Sequence, residues 1–94
     1  MLVYYTKKNI GQTYLAWCTQ QSINDSTLSL FNNVTKKEYC IVFANKANAV
    51  SFLELLKNGC MLDKIIKSLE SEGYNGIDLY AFLMQNGLIE WNTN

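Results

Sequence analysis

The second half of the chain decides the fold, and it begins with NKANAVSFLELLKNG at residues 45–59. Two more amphipathic segments follow, CMLDKIIKSLESEG at residues 60–73 and GIDLYAFLMQNGLIE at residues 76–90. In each segment apolar side chains recur three or four residues apart, which is the period of one helix face. An asparagine suited to an N-cap opens the first segment, and each segment has a glycine that favours helix termination. We therefore predict three consecutive helices between residues 45 and 89.

The first half of the chain has the composition and two-residue period of β-strands. Residues 2–6 are rich in aliphatic and tyrosine side chains, residues 12–18 alternate, and residues 27–31 and 38–43 each place apolar side chains on one face. The polar run TQQSIND at residues 19–25 reads as a loop. The order of the segments predicts an α+β fold, with a small antiparallel sheet of three or four strands followed by three helices. Two helices joined by a tight glycine turn make this arrangement winged-helix-like.

Composition indicates one domain, residues 1–94, with strands at about 2–43 and the three-helix part at about 45–89. Hydrophobic residues make up 49% of the chain, which is too apolar for a disordered tail. No apolar run approaches the roughly 18 residues of a membrane-spanning helix, and the start lacks a signal-peptide pattern. An odd number of widely spaced cysteines, Cys18, Cys40 and Cys60, is typical of buried thiols in a reducing cytoplasm. We expect a cytoplasmic protein without membrane contact.

The missing residue types argue against catalysis and against nucleic-acid binding. Histidine is absent, which removes the usual general base and the commonest nitrogen ligand of metals. The carboxylates are scattered, and no phosphate-binding loop or metalloprotease motif is present. All eight basic residues are lysines, and eight acidic residues balance them. We expect no enzyme activity, no metal site and no cofactor, and the missing basic excess disfavours a nucleic-acid partner.

Three stretches together resemble the PqqD-like domain family. FANKANAVSFLELLKNG, residues 43–59, resembles the point where a strand ends in an asparagine-capped helix that closes on a glycine. MLDKIIKSLE, residues 61–70, resembles the second helix of that family. LYAFLMQNGLIE, residues 79–90, resembles its third helix, with the terminal glycine and two aliphatic residues after it. The resemblance covers about residues 38–90.

Members of this family, also called RiPP recognition elements, bind the leader segment of a ribosomally made precursor peptide and deliver it to a modifying enzyme. The resemblance implies that the peptide adds a strand to the sheet edge at residues 38–43, facing helix residues 79–86. The peptide-binding residues are then expected to be Lys37, Tyr39, Ile41, Phe43, Leu79, Phe82, Leu83 and Asn86.

The face of the last strand that meets the peptide stays open at this point. Tyr39, Ile41 and Phe43 share one face and fit a hydrophobic core as well as a groove. If they form the core, Cys40 and Val42 on the opposite face become the candidates for partner contact.

Two other functions stay open as well. The chain fits a small protein-binding inhibitor or adaptor, for example a phage-encoded one, and it fits a winged-helix DNA binder that uses Lys64 and Lys67 or the third helix. Trp17 and Trp91 are expected to be packing residues. An exposed edge strand also offers a route to a homodimer.

Overall fold

A computed structural model describes residues 11–92, which form six strands and three helices. The strands are β1 (Gln12–Leu15), β2 (Thr19–Asn24), β3 (Thr27–Asn32), β4 (Lys37–Val42), β5 (Cys60–Met61) and β6 (Ile89–Trp91). The helices are α1 (Lys46–Asn58), α2 (Leu62–Ser71) and α3 (Gly76–Gln85). The strand predicted at residues 2–6 lies outside the described residues.

The strands form two three-stranded antiparallel sheets, and the α+β class is confirmed. A meander is present as β2–β3–β4, but its first strand is the segment predicted as a loop, and the strand predicted at residues 12–18 lies in the other sheet. The second sheet has the order β5–β1–β6, and Thr13 at its centre lies opposite both Cys60 and Trp91. Strands β5 and β6 flank α2 and α3 along the chain, so the helices and the second sheet are interleaved rather than sequential.

The loop predicted at residues 19–25 is wrong, because TQQSIN forms strand β2. It pairs with β3 along its whole length, from Thr19 opposite Asn32 to Asn24 opposite Thr27. Most of its side chains are exposed. Because β2 is an edge strand with water on one side, it does not need the alternation of apolar and polar residues that marks other strands. The preceding strand is shorter than predicted and ends at Leu15. A two-residue turn joins β2 to β3, with Asp25 at a positive φ of 56°.

The predicted helix boundaries follow from local capping. The side chain of Asn45 accepts a hydrogen bond from the N–H of Asn48 and begins α1, as predicted. Helix α1 ends at Gly59, whose φ of 87° suits glycine and whose missing Cβ leaves room for the ring of Tyr14. Helix α3 is capped in the same way by the side chain of Asn75.

One hydrophobic core joins both sheets and all three helices. Helix α1 contacts β1 of one sheet and β2 and β3 of the other, so a single helix packs against both sheets. The fully buried members of the core include Leu28, Leu30, Phe52, Leu56, Ile65, Leu69, Leu83 and Leu88.

The two tryptophans are exposed, so their predicted packing role is wrong. Trp17 is 83% exposed and Trp91 is 53% exposed. Trp17 lies at the tip of the turn between β1 and β2. On either side of it, the Ala16 N–H and the Thr19 hydroxyl both donate to the Leu88 carbonyl at 3.0 Å. These bonds hold both ends of the turn at Leu88, and the indole between them points outward.

The expectation of buried thiols holds for two of the three cysteines. Cys18 and Cys60 are buried, whereas Cys40 is exposed because it lies on the outer face of β4. Across residues 11–92 no helix is long and apolar enough to cross a membrane.

Candidate functional site

Strand β4 forms one edge of the meander, and the pairing register determines which of its backbone groups face outward. The N–H of Phe43 donates to the Ser26 carbonyl on the β3 side. Backbone groups in a strand alternate in direction. Residues 37, 39, 41 and 43 therefore pair with the β3 side, whereas Glu38, Cys40 and Val42 direct their N–H and C=O groups away from it.

The carboxyl-terminal end of this edge is closed by the turn between α2 and α3. The Val42 N–H donates to the hydroxyl of Tyr74 at 3.2 Å, and that hydroxyl donates to the Val42 carbonyl at 2.6 Å. The Ala44 N–H donates to Oε1 of Glu72 at 2.7 Å, and the Asn48 amide donates to Oε2 at 2.9 Å. The turn therefore occupies the edge from Val42 onward.

Two residues of the edge stay available for pairing. The backbone groups of Glu38 and Cys40 have no hydrogen-bond partner in the part of the chain that the structure describes. The Glu38 side chain accepts a hydrogen bond from Ser29 on the outer face, which leaves its backbone groups unaffected. An extended chain can pair at these two positions.

Helix α3 runs alongside this edge in the direction opposite to β4. Tyr74, which precedes the helix, contacts the Val42 end of the strand. Asn86, which follows the helix, accepts a hydrogen bond from the hydroxyl of Tyr39 at 2.9 Å. Between them, the rings of Tyr39 and Phe82 meet edge to face, with centroids 5.3 Å apart and an interplanar angle of 83°. The β4 edge, α3 and the Tyr39–Phe82 ring pair between them therefore adjoin one another, and we call the surface that they form the groove.

The expected peptide-binding residues divide into a buried group and an accessible group. Ile41, Phe43 and Leu83 are buried in the core and cannot touch a ligand without repacking. The accessible ones are Phe82, whose side chain is 42% exposed, and Lys37, which is exposed at the start of β4. Tyr39, Leu79 and Asn86 are half-buried between these groups.

Asn86 holds the far end of the groove together. Its side-chain amide donates to the Phe82 carbonyl at 2.8 Å while its side-chain oxygen accepts from Tyr39. Its own carbonyl accepts from the amide of Asn32 at 2.9 Å. Because these polar groups are already paired, Asn86 positions the aromatic pair rather than offering free donors to a ligand.

The solvent-facing side of α3 is apolar and acidic. Its exposed residues are Ile77, Asp78, Ala81, Phe82 and Gln85. A helix that enters a DNA groove needs donors that reach phosphates and base edges, usually arginine or lysine. This face therefore suits a peptide or protein surface better than a nucleic acid.

Residues 11–92 contain no group of three or more cysteine, aspartate or glutamate side chains that could hold a metal ion. Burial raises the pKa of the Cys60 thiol, an effect that Lys64 opposes and Asp63 reinforces, and a raised pKa makes a poor nucleophile.

Tyr74 and Glu72 are the important residues that the sequence did not reveal. Residues 73–76, GYNG, predicted only a tight turn. The one available signal for a contact of Tyr74 is that a large ring lies between two turn glycines. A ring in such a turn becomes half-buried only by packing against a distant part of the chain.

Comparison with known protein families, with curated proteins and with solved structures gives no significant match. The likeness to PqqD-like domains therefore depends on the residues quoted in the sequence analysis alone.

Proposed function

We propose that the chain is a non-catalytic peptide-binding module that accepts the leader segment of a precursor peptide on the β4 edge and presents it to a modifying enzyme. The observation that supports this function most directly is that the backbone groups of Glu38 and Cys40, beside the Tyr39–Phe82 ring pair, have no partner among residues 11–92. An extended peptide needs both features, because backbone pairing supplies the geometry and a side-chain pocket supplies the specificity. The three free cysteines suit a reducing cytoplasm as the place of action.

The free energy of backbone pairing is too small for binding, so the Tyr39–Phe82 ring pair must contribute as well. Two edge residues can exchange about four backbone hydrogen bonds, worth roughly 4 kcal/mol net. Association costs on the order of 4–15 kcal/mol, so pairing alone gives no stable complex. Burying one aliphatic or aromatic side chain adds about 1.5–3 kcal/mol. We therefore expect a weak, transient complex in which the side chain that covers Phe82 decides whether binding is measurable.

The first experiment selects binders from a displayed library of random 12-residue peptides and maps them by amide chemical shifts in labelled protein. We expect shifts at Glu38, Cys40 and Phe82. Phe82→Ala should weaken a selected peptide at least tenfold, whereas Val50→Ala, a truncation of a similarly exposed residue on α1 (39% exposed), should leave affinity unchanged.

A second variant tests the backbone directly. The Cys40 N–H points away from β3, so Cys40→Pro removes an outward donor without breaking a bond in the meander. It should abolish binding while the unfolding midpoint stays within a few degrees of the wild-type value. Selected peptides whose shifts map elsewhere, or whose affinity is indifferent to both variants, would exclude strand addition at β4.

A small protein-binding inhibitor or adaptor is the second candidate function, and the exposure of Trp17 favours it. Tryptophan is among the residues that most often dominate the affinity of protein interfaces. Tagged-protein capture from the source organism, with mass spectrometry of both peptides and proteins, separates the two functions. A short peptide recovered with a modifying enzyme supports peptide delivery. A large partner lost on Trp17→Ala but retained by Cys40→Pro supports the inhibitor.

A winged-helix DNA binder is the weakest of the three functions. Lys64 and Lys67 are exposed, but they belong to α2, whereas the exposed face of α3 is apolar and acidic. Salt-dependent retardation of duplex DNA at low ionic strength would revive this function.

A further inference from the structure

The hydroxyl of Tyr74 forms hydrogen bonds with both backbone groups of Val42, as a residue of a paired strand would. It accepts from the N–H and donates to the C=O of the same residue. A strand that adds to β4 must therefore either displace Tyr74 or stop before Val42. The neighbouring contact of Glu72 with the Ala44 N–H closes the next outward-facing position as well.

We infer that Tyr74 sets the register of the added strand, so that the groove selects an extended segment with the pattern basic-x-apolar-x-acidic. This inference rests on the proposed function and specifies its ligand. It follows from three placements along the inner side of the groove, each of which has a different chemistry.

The central position of the segment is apolar. If the segment pairs antiparallel through Cys40 and Glu38, the residue between the two pairs lies opposite Tyr39. Directly opposed residues share a sheet face, so this side chain lies on the Tyr39 side, against the exposed part of Phe82. The two paired residues on either side of it face outward, next to Cys40 and Glu38.

The two ends of the groove carry opposite charges. Asp78 is exposed one helical turn before Phe82, on the side of the groove that leads to Tyr74. Lys37 and Lys36 are exposed at the other end, where β4 begins. An antiparallel segment runs from the Tyr74 end to the lysine end. A basic residue two positions before the apolar one therefore meets Asp78, and an acidic residue two positions after it meets the lysines.

Charge at exposed positions sets direction more than affinity. Two blocked synthetic peptides test this, TKTLTET and its charge-reversed counterpart TETLTKT, titrated into labelled protein at low salt. We expect TKTLTET to shift the amides of Glu38 and Cys40 and to bind about three- to tenfold tighter than TETLTKT. Equal affinities for the two peptides at β4 would overturn the charge pattern and leave strand addition intact. If neither peptide shifts these amides at millimolar concentration, the inference as a whole fails, and the library selection decides the proposed function separately.

Tyr74→Phe tests the register stop. This variant keeps the ring and removes only the hydroxyl, which frees both backbone groups of Val42. The probes are KTLTET and the extended peptide TKTLTET, whose added threonine lies opposite Val42 when the leucine lies opposite Tyr39. In the variant TKTLTET should bind about three- to fivefold tighter than KTLTET and shift the Val42 amide, because backbone bonds to Val42 can then form.

In the wild-type protein the extension should bring no gain. A general loss of stability in Tyr74→Phe would change both affinities alike, so the difference between the two peptides reports the register alone. An equal gain in the wild-type protein and in the variant would overturn the role of Tyr74.

Discussion

The three thiols differ in exposure, and we expect their reactivity to differ accordingly. Cys40 faces outward from β4, whereas Cys18 and Cys60 are buried. We expect a thiol reagent at pH 8 to label one cysteine within minutes and the other two only as the protein unfolds. Mass spectrometry of the labelled peptides checks this. Cys40→Ser should remove the fast phase, and fast labelling of Cys60 would contradict its burial.

The raised pKa of Cys60 also links stability to pH. The folded protein holds the thiol proton to a higher pH than the unfolded chain does. Above the ordinary thiol pKa of about 8.5, the unfolded state loses this proton first and gains stability relative to the folded state. The contribution of Cys60 is thus constant at neutral pH and falls as the solution becomes alkaline. Cys60→Ala should make the alkaline decline in the free energy of unfolding shallower.

The type of a residue predicted whether its side chain is buried for some residues and not for others. Leu28 and Leu30 in β3 are buried, as their alternation indicates. Trp17 and Cys40 are residue types that are usually buried, yet both are exposed. A turn tip and the outer face of an edge strand are products of strand pairing, and a single residue carries no signal for either.

At the scale of the elements, capping predicts a matched pair of losses. The side chains of Asn45 and Asn75 each accept from the N–H three residues later, at 2.8 and 3.1 Å. Asn45→Ala and Asn75→Ala should each lower the free energy of unfolding by about 1 kcal/mol, measured by urea titration. The aspartate variants should retain most of it.

Asn58→Ala serves as the control for these caps, because Asn58 is exposed at the last residue of α1 and caps nothing. Alanine has a higher helix propensity than asparagine, so Asn58→Ala should cause no loss, and a loss equal to those at the two caps would show that the effect is not specific to capping.

The elements with a strong local period were predictable, and the others were not. Helices α1, α2 and α3 have clear apolar stripes and glycine ends, and all three are present. Strand β2 has a polar sequence, so its only signal is its pairing with β3, which is a property of the folded chain. The residues of the candidate groove likewise include some that the sequence predicted and one that it did not. Tyr39 and Phe82 follow from the family resemblance, but Tyr74 reaches Val42 only through the packing of two distant segments.

At the scale of the whole molecule, the second sheet accounts for most of what the sequence could not show. Its central strand, β1, pairs with residues from the α1–α2 junction and from the end of the described chain. Thr13 is fully buried there, and its hydroxyl lies 2.8 Å from that of Tyr80 on α3. Pairings between such remote segments leave no period in the sequence, whereas the meander needs only short turns.

A single core predicts that both sheets unfold together. Leu56 of α1 is fully buried, and its helix contacts strands of both sheets. Leu56→Ala should reduce the free energy of unfolding by about 2–5 kcal/mol, a large part of the roughly 5–15 kcal/mol typical of a domain. Amide hydrogen exchange should show equal losses of protection at Leu30 in the meander and at Thr13 in the second sheet, while Val50→Ala on the same helix changes neither by more than about 1 kcal/mol. A loss confined to one of these amides would mean that the sheets open independently, and the β4 edge would then be able to move without the rest of the molecule.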